Sequence, residues 1–423
     1  MTDTIDLMPQ TPREPGEAAW RPVRLTPREW ARENLFSTWY NTLLTALFGA
    51  AFAYLGYRAL RFVFVTADWE IVRVNLTNFM LGRFPREGIW RVWVSAYVLI
   101  AAIGLTAGAS RRNAAERAAE TGLSHTMPSL VSRLRRFWPA ILLVVVLVAL
   151  AETIGPLLVV VGAVVVGVAA RAAGPMLPRP VRRRSWAILV LGGAAWLQIL
   201  NTAGGVGWND WGGLHLTLFV TVAGIVLAFP IGLLAALARR STLPALRILS
   251  VGYIEFVRGV PLITLLLMSQ FMLRFFVPAG FPVPSDVTRA LIAITLFEGA
   301  YVAEVVRGGL QAVPRGQTEA AFALGLPAPR VMRFIVLPQA LRAVIPAMVG
   351  QFISLFKDTS LLTIIGVLEV LNASEVANAQ LAFQGRGLAS VTLPFVGLIY
   401  WVGSYTMSKE SQRIERKLGV GER

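Results

Sequence analysis

The sequence predicts an all-α polytopic membrane protein, and three observations carry that prediction. Apolar residues make up 55% of the 423 positions and charged residues only 15%, against roughly a quarter charged in soluble domains. Apolar runs recur along the whole chain, many close to the ~20 residues that cross a bilayer as a helix. Arginines gather in short stretches between those runs, at Arg111, Arg112, Arg133, Arg135, Arg136, Arg182, Arg183, Arg184, Arg239 and Arg240. Cationic loops of this kind stay on the cytoplasmic side of a membrane. The net charge of +16 is therefore a topology signal. Membrane lipid is an expected partner and nucleic acid is not.

Residues 1–34 are polar, contain Pro9, Pro12, Pro15, Pro22 and Pro27, and lack an apolar h-region. They are predicted as a cytoplasmic tail rather than a signal peptide. An N-terminal transmembrane extension follows over 35–205. Its first two spans fall near 35–57 and 90–109. The stretch between them, "RFVFVTADWEIVRVNLTNFMLGRFPREGIW", mixes Arg with Trp, Phe and Ile, which suits a segment in the headgroup region; an irregular extracytoplasmic loop is the alternative. The apolar run 137–173 is too long for one span. Gly155-Pro156 interrupts it, because proline lacks a backbone donor and clashes with the preceding turn, so a tight helix pair is predicted. The fifth span, 186–200, ends in the Gly- and Trp-rich "NTAGGVGWNDWGG".

After about residue 205 polar and small residues recur within or beside the spans, and a functional core is placed at 206–408. Its five spans fall near 213–238, 254–277, 289–309, 341–366 and 389–407, followed by a charged cytoplasmic tail at 409–423. Cytoplasmic termini require an even number of crossings. The expected total is about ten, or eight if 137–173 does not cross.

Several function classes are set aside by composition. There is no cysteine, and His125 and His215 are isolated, so no thiolate or metal site is predicted. No G-x-x-x-x-G-K-[ST] occurs, and none of Lys357, Lys409 and Lys417 follows a glycine. The chain thus carries no recognisable P-loop.

The most specific stretch is "EAAFALGLPAPRVMRFIVLP" at 319–338. Ala320 to Leu324 favour helix, Gly325 suits a helix end and Pro327 bars continuation, and Pro329 suits the first turn of a second helix. The result is a compact elbow with an apolar stripe and no catalytic group. A DNA-reading helix-turn-helix is the competing assignment, but its place between spans leaves few residues free to reach a groove.

Glu319-Ala320-Ala321, three residues, Gly325, nine residues, Ile335, one residue, Leu337-Pro338 resembles the EAA loop of ABC importer permeases at every spacing. "GYIEFVRGVPLI" at 252–263, "AYVAEVVRGGLQAVPRGQTEAAFALG" at 300–325, "VLPQALRAVIPAMVGQFISLFKDTSLLTIIG" at 336–366 and "LEV" at 368–370 are similar to the polar amino-acid subfamily. That resemblance covers about 210–408. "LFSTWYNTLLT" and "FPREGIWRVW" resemble the enlarged permeases of general L-amino-acid systems.

The resemblance implies a five-helix type I permease core in the bacterial inner membrane. It implies that the loop 310–340 is a coupling helix seated in a cytoplasmic ATPase subunit through Glu319, Ala320, Ala321, Gly325, Ile335, Leu337 and Pro338. ATP and Mg would sit on that partner, with no cofactor on this chain. A second permease subunit, identical or related, and an extracytoplasmic amino-acid-binding protein complete the implied complex.

Ionisable residues inside spans are functional candidates because charge is costly in lipid. Glu298, Gln270, Ser269, Thr359 and Ser360 are candidates for the substrate pathway. For Glu298, pairing inside the core or a protonated structural role stay open. Glu255, Arg258, Glu304, Arg307, Lys357 and Asp358 are gate or packing candidates. Glu304 and Arg307 are spaced to pair on one helix face. Lys357 to Ser360 interrupt an apolar segment, as in a broken helix lining a site, or mark a helix end with a satisfied pair. The predicted function is an ATP-driven amino-acid importer permease, with polar amino acids as the expected substrates. A gradient-driven secondary transporter or channel is the alternative, and a membrane-anchored DNA-binding regulator a third class.

Overall fold

The computed structural model describes residues 26–121, 135–151, 153–201 and 207–418. Most of the expected N-terminal tail, the basic stretch 122–134 and the end of the C-terminal tail lie outside the described residues. The chain divides into two compact units, with the second beginning at Asp68.

The first unit holds α1 (Pro27–Asn34) and α2 (Trp39–Arg61), the latter running on as a π turn over Phe62–Thr66. Thr26 and Glu29 form a reciprocal capping box at the start of α1, satisfying two otherwise free backbone donors. No residue of α2 is buried, and Leu43, Leu47 and Phe52 stand exposed. A long helix that is apolar all round is suited to lipid.

The second unit contains α3 (Glu70–Val74), α4 (Leu76–Leu81), α5 (Ile89–Thr121), α6 (Trp138–Leu150), α7 (Gly155–Ala173), α8 (Arg179–Arg183), α9 (Ser185–Asn201) and α10 (Gly213–Arg239). It continues with α11 (Pro244–Gly259), α12 (Leu262–Met272), α13 (Asp286–Ala312), α14 (Arg315–Ala323), α15 (Ala328–Val331), α16 (Leu337–Asp358), α17 (Val370–Asn378) and α18 (Ala389–Leu418). Helices α7 and α9 both pack on α5. The Tyr97 hydroxyl on α5 donates to the Val159 carbonyl of α7 at 3.1 Å, and the buried Arg182 meets Glu116 at 2.6 Å.

Among the described residues, 5 helical stretches are long and apolar enough to cross a membrane: 39–66, 86–120, 155–176, 213–239 and 328–365. The pair α11–α12 would make a sixth. Helices α6 and α9, at 13 and 17 residues, are apolar but short. Helices α13 and α18, at 27 and 30 residues, are long but carry ionisable side chains. Length and apolarity alone therefore do not reach the expected ten.

Three local expectations change. The span placed at 254–277 is two helices bent by 105°. Val260 and Pro261 are both extended between them, since proline drives its predecessor out of the helical region and cannot donate. The run 137–173 divides between α6, which ends at Leu150, and α7, which Gly155-Pro156 opens instead of forming the break. Proline is well placed at the first turn, where its missing donor costs nothing. The stretch 61–90 is not an irregular loop: it holds α3 and α4, with Ile71, Val72 and Phe79 completely buried while Phe64, Val65 and Val74 stand exposed.

The core has two hydrophobic clusters. One joins Ile254, Val302, Val306 and Leu310 to Ala321, Val331 and Val336 of the 314–336 segment. The other lies at the opposite end and includes Trp211, Leu216, Val287, Ile294 and Leu362. Leu81, Phe84, Val92 and Leu200 join this second cluster, so packing runs continuously across the boundary placed near residue 205.

Candidate functional site

The 314–338 segment is shaped by its prolines and one glycine. Val313 and Pro314 are extended and end α13. Helix α14 then closes with two hydrogen bonds, Gly325 N–H to Phe322 O at 2.9 Å and Leu326 N–H to Ala321 O at 3.2 Å. Gly325 lies at φ +76. This is a Schellman closure, which needs a left-handed residue and so favours glycine. Pro327 is extended and starts α15. The second arm is not a separate helix. It runs through a π turn over Met332–Val336 into α16, where Pro338 occupies the first turn. A proline there leaves an upstream carbonyl without its usual donor, a known setting for a local change of helical register.

The elbow has two faces. Ala321, Val331 and Val336 are buried against the core, while Ile335 and Leu337 are half-buried. Glu319, Ala320, Gly325 and Pro338 are exposed. Leu324 is 82% exposed, and Phe322 and Phe334 also face outward. Three large apolar side chains presented by a rigid turn make a surface suited to a partner. Behind α14 lies a cavity of about 900 Å³ lined by Arg239, Arg240, Arg307, Arg315, Glu319 and Phe322.

Above this cavity, Glu304 gathers arginines from three helices. Its carboxylate accepts from Arg239 of α10 at 2.8 Å, from Arg307 of α13 at 2.9 Å, and meets Arg258 of α11 at 3.5 Å. Arg239 also reaches Glu255 at 3.1 Å. Glu255 and Arg258, three apart in sequence, thus pair across helices rather than with each other. The cation of Arg258 lies 5.6 Å from the Tyr301 ring.

The interior candidates fall at separate places. Glu298 is 1% exposed and accepts from Gln351 of α16 at 2.9 Å. Its other oxygen and the Thr295 hydroxyl are buried without a hydrogen-bond partner among the described residues. The Ser269 hydroxyl donates to Arg289 O at 2.6 Å, and Arg289 donates to Gln270 O at 2.7 Å. These bonds tie α12 to the start of α13, roughly 13 Å along the helix from Glu298 at 1.5 Å per residue. Thr359 is fully buried and donates to Phe356 O at 2.6 Å. Ser360 and Asp358 are half-buried, and Lys357 is exposed. Among the described residues Lys357 and Asp358 form no ion pair.

Residues 228–407 match the family described as binding-protein-dependent transport system inner membrane component. The chain is 34% identical over 407 residues to the inner membrane amino-acid ABC transporter permease protein YhdY of Escherichia coli, covering 93% of each chain. The chain belongs to this family. It is the permease subunit of an ABC importer, a multi-pass inner-membrane protein, and ATP hydrolysis resides in a separate subunit. It is also 34% identical to the glutamate/glutamine/aspartate/asparagine transport system permease protein BztC of Rhodobacter capsulatus, over 92% of this chain and 93% of that one. The probable glutamine ABC transporter permease protein GlnP of Bacillus subtilis matches over 206 residues at 35% identity, 48% of this permease and 91% of its own length. A crystal structure of an amino acid ABC transporter with histidines aligns at 30% identity over 48% of this permease and 92% of that chain, with a TM-score of 0.44.

Two elements of this permease's polar architecture are absent from the sequence candidates. Arg239 is read there only as a topology signal. Glu369, within "LEV", is completely buried and accepts from Thr363 at 2.6 Å, the Asn372 N–H at 2.8 Å and Tyr400 at 2.8 Å. Its only sequence signal is an acid between apolar residues ahead of a helix, where an N-cap acceptor is favoured.

Proposed function

We propose that this permease imports amino acids with polar side chains, and that the 314–338 elbow is where a cytoplasmic ATPase subunit seats to drive the cycle. The carrying observation is the elbow's two-sidedness. One face is packed on α10, α13 and α16, while Phe322 and Leu324 face outward on a turn fixed by Gly325. A rigid elbow of this kind passes a rigid-body push to the helices it joins.

The substrate class is supported by the printed functions of the long relatives, amino-acid transport in one and glutamate, glutamine, aspartate and asparagine transport in the other. Glu298 supplies a buried acceptor for an ammonium group in the core. Residues 206–408 act as the translocating core, with 35–205 as an extension and both termini cytoplasmic. ATP and Mg bind the ATPase subunits, a second permease subunit completes the pathway, and an extracytoplasmic protein delivers the amino acid.

The test is purification of the complex from gently solubilised membranes followed by uptake in vesicles. Phe322→Asp with Leu324→Asp is expected to release the ATPase and abolish uptake. Retention of both would overturn the docking assignment. Uptake screened across acidic, neutral and basic amino acids fixes the cargo, and a preference for apolar ones would overturn the substrate class.

A further inference from the structure

At the end of the core opposite the elbow, the segment 68–84 lies on the loop–helix–loop 366–388. Gly213, at the start of α10, donates to Leu368 O at 2.8 Å, which places that loop at the far end of α10 from Arg239. Asn75 and Gln380 exchange two side-chain hydrogen bonds, at 3.2 and 2.6 Å. Asn78 donates to Ala373 O at 3.4 Å. The fully buried Phe79 ring stands 5.1 Å from that of Phe395. Arg386 pairs with Asp68 and lies 3.8 Å from Glu70. Gly82, at φ +63, passes so close to Gly212 that an added Cβ would lie 2.4 Å from its Cα.

These contacts are register-specific. A mutually satisfied amide pair fixes one alignment, because a shifted one leaves buried polar groups without partners. They hold down a loop whose outer part exposes Leu381, Gln384 and Arg386 while Phe383 is buried. Leu381 is 93% exposed, and Gly385 and Gly387 adopt positive φ on the way into α18. The segment lies outside residues 228–407, which match the family.

We propose that 68–84 is a built-in clamp that holds the loop 366–388 as part of the seat for the extracytoplasmic binding protein. The proposal rests on the function given above and on the family's dependence on such a protein. The delivering protein must arrive at the face opposite the ATPase, and the clamped loop offers it Leu381 beside Gln384 and Arg386. An exposed apolar residue with polar neighbours suits a transient interface. Ordering the loop in advance removes the cost of ordering it on each encounter. Asn75, Asn78, Asp68 and Glu70 are positioning residues in this scheme.

The experiment uses the whole complex in vesicles, titrated with the system's purified binding protein loaded with whichever amino acid stimulates ATPase most. Asn75→Leu is expected to raise the half-saturating concentration of binding protein about fivefold, on the scale of one net hydrogen bond, while the maximal rate holds. The chain has no native cysteine, so N75C with Q380C can be joined selectively by a short bis-methanethiosulfonate cross-linker, which spans a gap wider than a direct disulfide tolerates. Cross-linking that pair is expected to restore the half-saturation point, and cleaving the link with a reductant to raise the point again. Half-saturation unchanged by Asn75→Leu, or indifferent to the cross-link, overturns the clamp while leaving the importer function standing. Loss of rate in both variants at unchanged half-saturation overturns it equally. If the unmodified complex ignores its binding protein, the underlying function fails and the clamp with it.

Discussion

Arg239 at the end of α10 and Glu304 on α13 meet at 2.8 Å, and the other arm of the same guanidinium reaches Glu255 on α11. One side chain therefore ties three helices directly above the elbow cavity. Arg258 and Arg307 add their charge to the same carboxylate. Removing Glu304 leaves three arginines facing one another with a single acid nearby. For Glu304→Gln we expect about 1–3 kcal/mol of destabilisation, the scale of partly screened hydrogen bonds to charged groups. Thermal unfolding in detergent reads the loss. Arg239→Lys is the sharper variant, since an ammonium keeps the charge without the planar fork that spans both acids. It is expected to cost less stability than Glu304→Gln yet to raise the ATP consumed per amino acid imported.

Gly325 sits at φ +76 with nothing within 4 Å of where a Cβ would be. Substitution is thus penalised by backbone conformation alone. Gly325→Ala is expected to cost about 1 kcal/mol and Gly325→Val more, with Gly325→Asn the mildest because asparagine tolerates the left-handed region. The uptake defect should follow the same order, Asn below Ala below Val, at equal amounts of protein in the membrane. An order set by side-chain volume alone would mean that a partner surface, and not the turn, reads this position.

Glu298 and Gln351 share one hydrogen bond inside the core, and the second carboxylate oxygen has no partner among the described residues. Glu298→Gln keeps the shape and removes the anion. Uptake is expected to fall at least about tenfold, the scale of losing one charge-assisted contact, without loss of folded protein. Gln351→Leu instead leaves both carboxylate oxygens without partners, so reduced stability should accompany the reduced uptake. Comparing thermal unfolding with transport in the two variants separates the roles.

Much of this arrangement is legible in sequence because it depends on local chemistry. The elbow follows from Gly325, Pro327 and Pro329, whose backbone constraints act within a few residues, and the Glu304–Arg307 pair from its three-residue spacing. What is not legible depends on distant partners. Nothing near Arg239 marks it as a bridge between α11 and α13. Asn75 and Gln380, which satisfy one another, are 305 positions apart. The bend at Val260–Pro261 is written in the sequence, but its apolar flanks mask it as a continuous span.

Glu369 has the most complete set of donors of any buried acid among the described residues. Thr363, Tyr400 and the Asn372 N–H all point at its carboxylate, which also caps α17. Glu369→Ala leaves those donors unsatisfied and is expected to cost about 3–5 kcal/mol, the scale for removing one partner of a buried charged group. Tyr400→Phe removes one donor and should cost about 1 kcal/mol. Burial pushes the Glu369 carboxyl above its ordinary value of 4.5, against the pull of its hydrogen bonds. A carboxyl whose folded value is raised contributes stability that is full below the unfolded value and is lost as pH rises through the folded one. The unmodified protein should therefore lose unfolding temperature relative to Glu369→Gln as pH rises above 4.5, with the gap closing below it. Parallel unfolding curves for the two proteins over that window would show that the hydrogen bonds, and not burial, set the charge state of this acid.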